Sequence, residues 1–537
     1  MEGPPEPHHR LQERGLLHQW YPRMFVIFVS HQWLSSAHPD PHGQQLALLQ
    51  KALQGIIEGS LIVQDDHIGV YWSEQGLASN VRRYVADGFV FFDWFAIPQI
   101  TARQHGINEE ATKSDAALAV QSIPAYVELS NMFIALVPEL VHANSACVNY
   151  ATWLSRGWCR AELWCRLLSN KEDTSVIVVY SATDAKFMFG IDWQNNSIAE
   201  GDFTVEADRA QVVQLAVMAV ESKLQHLQAH GPLSRHRFYT AMRPKLLCKP
   251  SLLRDLKTFL HDFRYDSLLE AARDRSSMNA VMCSVFSGDT GMLRLLAENQ
   301  ADMNHTLEGM SDLGYFDTQT ALMAATKSKQ EPSVLATLIE LRANVNAFSR
   351  TGLTAMFMCR SPDHVKLLHE SRADVLHWTL SGVAAYASPE TVQALLECRC
   401  DPGRGEFSRT GPLHFFCILS RGNHRAGQTL ELLLKHRADM NARFLPEGQA
   451  DWDCRKAEAK VALLGYSNCS VSTRWRASVR GITPLGYAAM IGHGQFTKIY
   501  LDQGAEHLPN DRGDLPEDLA RKHHHHHLLP ALATFST

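Results

Sequence analysis

One phrase recurs down the second half of this 537-residue chain and constrains it more than any other feature: a leucine pair, a short gap, then Ala-Asp, an apolar residue and Asn. It reads Leu295-Leu296 with Ala301-Asp302-Met303-Asn304, then Leu338-Ile339 with Ala343-Asn344-Val345-Asn346. Later copies are Leu367-Leu368 with Ala373-Asp374-Val375, Leu395-Leu396 with Cys400-Asp401, Leu433-Leu434 with Ala438-Asp439-Met440-Asn441, and Tyr500-Leu501 with Ala505-Glu506. Six copies at a spacing of tens of residues imply stacked supersecondary units, none of which buries its apolar face without neighbours. A second signature precedes most copies: Thr320-Ala321-Leu322, Thr354-Ala355-Met356, Gly411-Pro412-Leu413-His414 and Thr483-Pro484-Leu485-Gly486-Tyr487-Ala488-Ala489. Each is expected to open a first helix. In the last copy, Thr483 suits an N-cap and Pro484 the first helical turn. Ala488 and Ala489 permit close helix approach, and Gly504 suits a left-handed exit.

This pattern resembles the ankyrin repeat, over roughly residues 270–515, and the resemblance implies an all-α solenoid whose surface holds a protein partner. The exit glycine is kept only at Gly504; Gln300, Arg342, Arg372, Arg399 and Arg437 replace it elsewhere. Keeping the left-handed conformation there costs about 1 kcal/mol per residue. A segment near 443–480, carrying Trp452, Cys454, Trp475 and several arginines, reads as a solvated insertion, with a partner-contacting loop as the alternative. The run His523–His527 reads as a low-complexity tract in a frayed tail rather than a metal site.

The first half has a different rhythm. Apolar runs of strand length, Met24–Val29, Gly88–Phe92, Met132–Val137 and Ser175–Tyr180, alternate with helical stretches at Gln44–Ile57 and Trp158–Leu168. That alternation predicts a parallel sheet covered on both faces, with ligand residues just beyond the strands' carboxyl ends. Loops are expected to begin at Ser30-His31-Gln32-Trp33 and at Asp93-Trp94.

Three boxes resemble the Toll/interleukin receptor (TIR) family: Val26-Ile27-Phe28-Val29-Ser30-His31, Val90-Phe91-Phe92-Asp93 with Pro98, and Ser155-Arg156-Gly157-Trp158-Cys159-Arg160-Ala161-Glu162-Leu163. In TIR enzymes the third box supplies the glutamate needed to cleave the nicotinamide–ribose bond of NAD, and Glu162 matches it. A carboxylate suits that chemistry because departure of nicotinamide leaves positive charge on the ribose. The resemblance further implies that Ser30 and His31 meet phosphate or ribose, that Asp93 lines the site, and that Trp33 or Trp94 stacks on a flat base. Trp158 and Cys159 would set the helix against the sheet, and Trp164 reads as core. The competing reading of Glu162 is a salt-bridged helix residue paired with Arg160 or Arg166. The chain departs from the family pattern in a long insertion at Leu61–Tyr84 and in Ile97-Pro98-Gln99, where the family often has a proline-glycine turn. In TIR enzymes that loop joins neighbouring subunits, so self-association is a further expectation.

The expected organisation is therefore multidomain. It comprises a disordered N-terminus (1–20), a TIR-like α/β domain (21–235), a helical connector (236–268), about six ankyrin-type repeats (269–515) and a His-rich tail (516–537). No cofactor is required, and NAD enters only as a substrate. A net charge of −6 gives no field that would draw the chain to nucleic acid, and neither a phosphate-cradling glycine loop nor a basic aromatic face is present. Eleven scattered cysteines without paired zinc-type arms predict reduced thiols and no metal. The absence of a secretory leader or a membrane-length apolar run predicts a cytoplasmic protein. Two functions fit: an NAD-cleaving signalling enzyme with a receptor half, and a non-enzymatic adaptor or scaffold using both modules for binding.

Overall fold

The computed structural model describes residues 3–65, 77, 79–99, 109–188, 193–250, 253–398, 400 and 412–534. The expectations placed on Arg399, Asp401 and Gly411, and on 66–76 and 78 of the long insertion, lie outside these residues. The chain divides into two compact units, Met1–Phe189 with Asn196–Gly231 and Gly190–Asn195 with Pro232–Thr537.

The first unit is built on a six-stranded sheet. Its strands are β1 (Val26–His31), β2 (Val63–Gln64), β3 (Phe89–Phe92), β4 (Met132–Leu136), β5 (Ile177–Ser181) and β6 (Asp184–Phe187), in the order β2-β6-β5-β4-β1-β3. β1 pairs in parallel with both β3 and β4, and β4 with β5. All five residues of β4 are buried, as a central strand covered on both faces demands. The fully parallel expectation needs one correction: β5 and β6 run antiparallel. Only Ala182 and Thr183 separate them, far too few residues for the crossover a parallel pair requires. A second correction concerns the first loop, because β1 continues through Ser30 and His31, paired with Ala135 and Leu136 of β4.

The helix Gln44–Glu58 lies between glycines in left-handed conformation, Gly43 and Gly59, and buries Leu46, Leu49, Ala52 and Ile56 along one face. Leu49, Ala52 and Ile56 join Ile27, Val29, Phe92, Ile134, Ile177 and Val179 in one core. The helix Gly157–Leu167 follows β4 and buries Cys159, Leu163 and Trp164. Gly157 is required there, since a Cβ would lie 2.0 Å from the Phe203 ring. The helix Asp208–His230 stops at Gly231, whose φ is +71°. The N-terminus, expected to lack order, instead carries a helix at His8–Glu13 with Leu11 buried and Arg14 paired with both oxygens of Glu6 at 2.8 and 3.0 Å. One apolar anchor and a short ion-paired loop suffice to seat it.

The second unit is a succession of helical hairpins: Ala280–Ser287 with Thr290–Glu298, Ala321–Lys327 with Pro332–Glu340, Thr379–Tyr386 with Pro389–Glu397, Pro412–Leu419 with Ala426–Lys435, and Pro484–Ile491 with Gly494–Asp502. Thr320 and Thr483 cap their helices by accepting from Met323 N and Gly486 N. Thr354 is the exception, because the segment after it makes only a turn before Ser361 caps the next helix and Pro362 begins it. Too few residues remain there for a full first helix.

The exit residues keep the conformation their glycine-bearing counterpart has: φ is +65° at Gln300, +69° at Arg342, +61° at Arg372 and +68° at Arg437, against +80° at Gly504. Asparagine explains the end of the recurring phrase. Asn304 Oδ1 accepts from Asn344 N at 2.7 Å, Asn346 Oδ1 from Asp374 N at 2.8 Å, and Asn441 Oδ1 from Glu506 N at 3.0 Å. Asn304 and Asn346 also donate Nδ2 to the carbonyls of Arg342 and Arg372. Each of these amides ties its loop to the next.

Two segments of this unit, the 443–480 insertion and the tail, need correction. The connector packs with the repeats, for Phe238 of the helix Leu233–Leu246 meets Phe286 and Tyr315 edge-on at 5.1 and 5.7 Å. The 443–480 insertion is a hairpin of its own, Gly448–Leu464 and Val471–Ser478, with Ala457, Val461, Cys469 and Ala477 buried together and Arg480 paired with Asp451 and Glu458. Trp475 is buried while Trp452 is exposed. The tail is not frayed: helices Pro516–Lys522 and Leu529–Thr534 bury Leu519 and Leu532, the turn between them buries His525 and Leu528, and His523 Nε2 lies 2.7 Å from the Tyr466 hydroxyl. Apolar residues on both sides of the histidines hold the tract against the stack. Among the described residues no cluster of His, Cys, Asp and Glu has the makings of a metal site, and no helix is long and apolar enough to cross a membrane.

Candidate functional site

Parallel pairing of β1 with β3 brings their carboxyl ends together, with Val29 opposite Phe92. Ser30 and His31 therefore lie beside Asp93, which follows β3 at once and opens the short helix Asp93–Ala96. His31 Nε2 is 2.8 Å from Asp93 Oδ1, and its ring stacks on Phe92 with centroids 4.0 Å apart. Trp33 Nε1 donates to Asp93 Oδ2 at 2.8 Å, and Trp94 N donates to Asp93 Oδ1 at 2.6 Å. Burial opposes charge on both partners, yet their mutual attraction wins: the His31 imidazole is raised above its ordinary value and the Asp93 carboxyl is lowered below its own. The pair is a hydrogen-bonded imidazole–carboxylate couple, with further indole and backbone donors on the carboxylate.

Glu162 comes from 132 residues further along, on the helix Gly157–Leu167. Its Oε2 accepts from the Ser30 hydroxyl at 2.5 Å. Ser30 in turn accepts from Trp153 Nε1 at 2.9 Å. An indole N–H only donates, so the Ser30 oxygen accepts from Trp153 and its own proton points at Glu162. Burial pushes the Glu162 carboxyl up to about 8, with the Asp93 carboxylate adding to the rise; the Ser30 bond and the His31 charge pull the other way. The site thus holds one ionised carboxylate, Asp93, and one carboxyl that is mostly protonated at neutral pH. Two carboxyl groups pushed apart in this way can serve different chemical roles.

Arg160 and Arg166 direct their donors elsewhere. Arg160 bonds the carbonyls of Leu154 and Ser197 at 2.6 and 2.7 Å, and Arg166 bonds that of Ser175 at 3.1 Å. These arginines anchor the ends of the glutamate's helix. Cys159 lies against the sheet with Sγ 3.5 Å from the His31 carbonyl, and burial beside Glu162 raises its thiol well above the ordinary value. It is a packing residue, not a thiolate nucleophile. Trp158 faces away and donates to Asp208 at 3.1 Å, while Trp164 is core.

The expected site residues Ser30, His31, Trp33, Asp93 and Glu162 converge at one corner of the sheet. Trp94 also lies there, meeting the Trp33 ring edge-on at 5.6 Å, but it is buried at 2% exposure with its Nε1 bonded to the Pro5 carbonyl at 3.0 Å. It has no free face for a base in this conformation. The sequence reading missed Trp153, Pro5 and the pair Gln32 and Thr152, whose side chains meet at 2.7 Å. Trp153 stands two residues before the third box, so its indole was visible; its partner 123 residues away was not.

No family model matches the sequence, and no curated protein matches it either. Among solved structures, the human ASB11 ankyrin repeat domain aligns at 18% identity over 45% of this chain and 90% of its own length, with a TM-score of 0.32. A likeness that slight leaves the hairpins themselves to carry the description of the second unit.

Proposed function

We propose that the first unit cleaves the nicotinamide–ribose bond of NAD and that the second unit, an ankyrin-type surface, holds a protein whose binding gathers copies of the first. The observation carrying the catalytic half is the convergence of Glu162 with Ser30, His31 and Asp93 at the carboxyl edge of a parallel strand pair, where open α/β sheets bind ligands. In the reaction, water adds to the ribose carbon as the carbon–nitrogen bond breaks. Nicotinamide leaves with the bonding pair as a neutral base, and the water proton is released. Glu162 as carboxylate would face the positive charge that grows on the sugar. Hairpins that bury leucines against their neighbours leave an extended outer face for a partner, and crowding would raise the local concentration of the catalytic unit. All eleven cysteines are unpaired, which supports a reducing, cytoplasmic setting.

One observation favours the adaptor reading: Ser30 clasps a carboxyl that burial keeps protonated near neutral pH. Nicotinamide release from NAD, measured on the full chain free and artificially clustered, separates the two. Cleavage is expected on clustering, to rise with pH toward about 8 as Glu162 ionises, and to fall about 100-fold or more in Glu162→Gln. No release in either state would leave the adaptor.

A further inference from the structure

We propose that residues 3–15 form a displaceable strap over Trp94 beside the Asp93 corner, masking the indole N–H in this conformation and lifting from it when ligand enters. The proposal rests on the reading of that corner as a ligand site. The Pro5 carbonyl takes two donors from beneath it, Trp94 Nε1 at 3.0 Å and His38 Nε2 at 3.3 Å. A carbonyl only accepts, so His38 carries its proton on Nε2 here. The helix His8–Glu13 packs on the helix Asp93–Ala96, and Leu11 is its one buried side chain. Upstream, Gly3 crosses so close to Gly43 that a Cβ on Gly43 would lie 2.3 Å from the Gly3 oxygen.

These attachments differ in kind from those of the sheet beneath. Pro4, Pro5 and Pro7 have no backbone N–H to give to a strand edge, so the segment adds nothing to the sheet ladder. It is held by the Pro5 carbonyl, by burial of Pro5 and Leu11, by the crossing of Gly3 over Gly43, and by the Arg14–Glu6 pair that closes its own loop. What it covers is the planar indole beside the Asp93 couple. Trp94 itself stays in the core, with the His38 ring 4.6 Å away, but lifting the strap frees its indole N–H next to the Asp93 carboxylate and the His31 imidazole, hydrogen-bonding chemistry suited to the sugar and phosphate of a nucleotide.

Two variants of the full chain lift the strap from opposite ends. Leu11→Asp removes the apolar anchor. Gly43→Asn places a Cβ against Gly3 while keeping a residue that tolerates the left-handed conformation and caps the helix Gln44–Glu58. Hydrogen–deuterium exchange at 92–97 is expected to quicken at least tenfold in both, with β4 unchanged, and nicotinamide release from clustered protein to rise several-fold. Unchanged exchange at 92–97 in both variants overturns the strap, as does a rise that extends equally to β4 in both. Faster exchange with release equal to that of the parent also overturns it. Faster local exchange with no release from any of the three proteins upholds the strap and sinks the NAD reading instead.

Discussion

The two units solve the problem of order in opposite ways. In the first, the decisive contacts join residues far apart in sequence: Trp153 to Ser30, Ser30 to Glu162, His31 to Asp93, all polar and all buried or partly buried. In the second, the decisive contacts are local and apolar, each hairpin resting its leucines on the next, with asparagine ties at the loops. The difference teaches where damage travels. A lost polar partner in the first unit strands a buried group whose replacement lies nowhere nearby, whereas a lost leucine in the second weakens one seam and its neighbours.

Leu338→Ala tests the larger side of that contrast. Leu338 is fully buried in the second helix of its hairpin, and truncation is expected to cost about 2–5 kcal/mol. Exchange should quicken in the adjoining hairpins while the β1–β3–β4 core keeps its protection. Loss of protection in both units at once would break the comparison.

Next in size is the acid–base behaviour of Glu162. Its carboxyl is raised from 4.5 to about 8 when folded, so the native state holds the proton more tightly than the unfolded chain does. The stability this contributes is complete below pH 4.5 and is lost as pH climbs toward 8, at a limiting slope of about 1.4 kcal/mol per pH unit. His31, raised from 6.5, loses its contribution only above that value, and Asp93, lowered from 3.8, loses its own only below it. Between pH 4.5 and 6.5 the slope therefore belongs to Glu162 among the three. Denaturant titrations of Glu162→Gln should flatten in that window; a slope unchanged from the parent would place the proton elsewhere.

The smallest effect lies in the repeats. Gln300→Gly, Arg342→Gly, Arg372→Gly and Arg437→Gly each relieve a left-handed side chain, for a gain of up to about 1 kcal/mol, and non-adjacent pairs should add. Thermal melts of single and double variants measure this. A loss of stability would mean that these side chains do more than tolerate the turn.

Legibility in the sequence followed the same division. The hairpins of the second unit were readable because their signal is local and repeated; even the left-handed exits at Gln300, Arg342, Arg372 and Arg437 could be inferred from the single Gly504 copy. The tail and the insertion were misread because Leu519, Leu528, Leu532 and Trp475 find partners only after the stack exists. In the first unit, the strands and the helix carrying Glu162 were legible, though β1 runs two residues past its expected end, so Ser30, His31, Asp93 and Glu162 could be named. The clasp of Trp153 on Ser30 and the seat of Pro5 on Trp94 were not, since neither partner's sequence neighbourhood marks the other.

The asparagine ties carry a chemical clock. Asn304 and Asn346 each use both ends of the amide, the oxygen toward a neighbour's N–H and the nitrogen toward a neighbour's carbonyl. Spontaneous deamidation would exchange that nitrogen for a carboxylate oxygen and set negative charge against the carbonyl of Arg342 or Arg372. A chain so altered would lose these ties while every leucine in the stack was still intact.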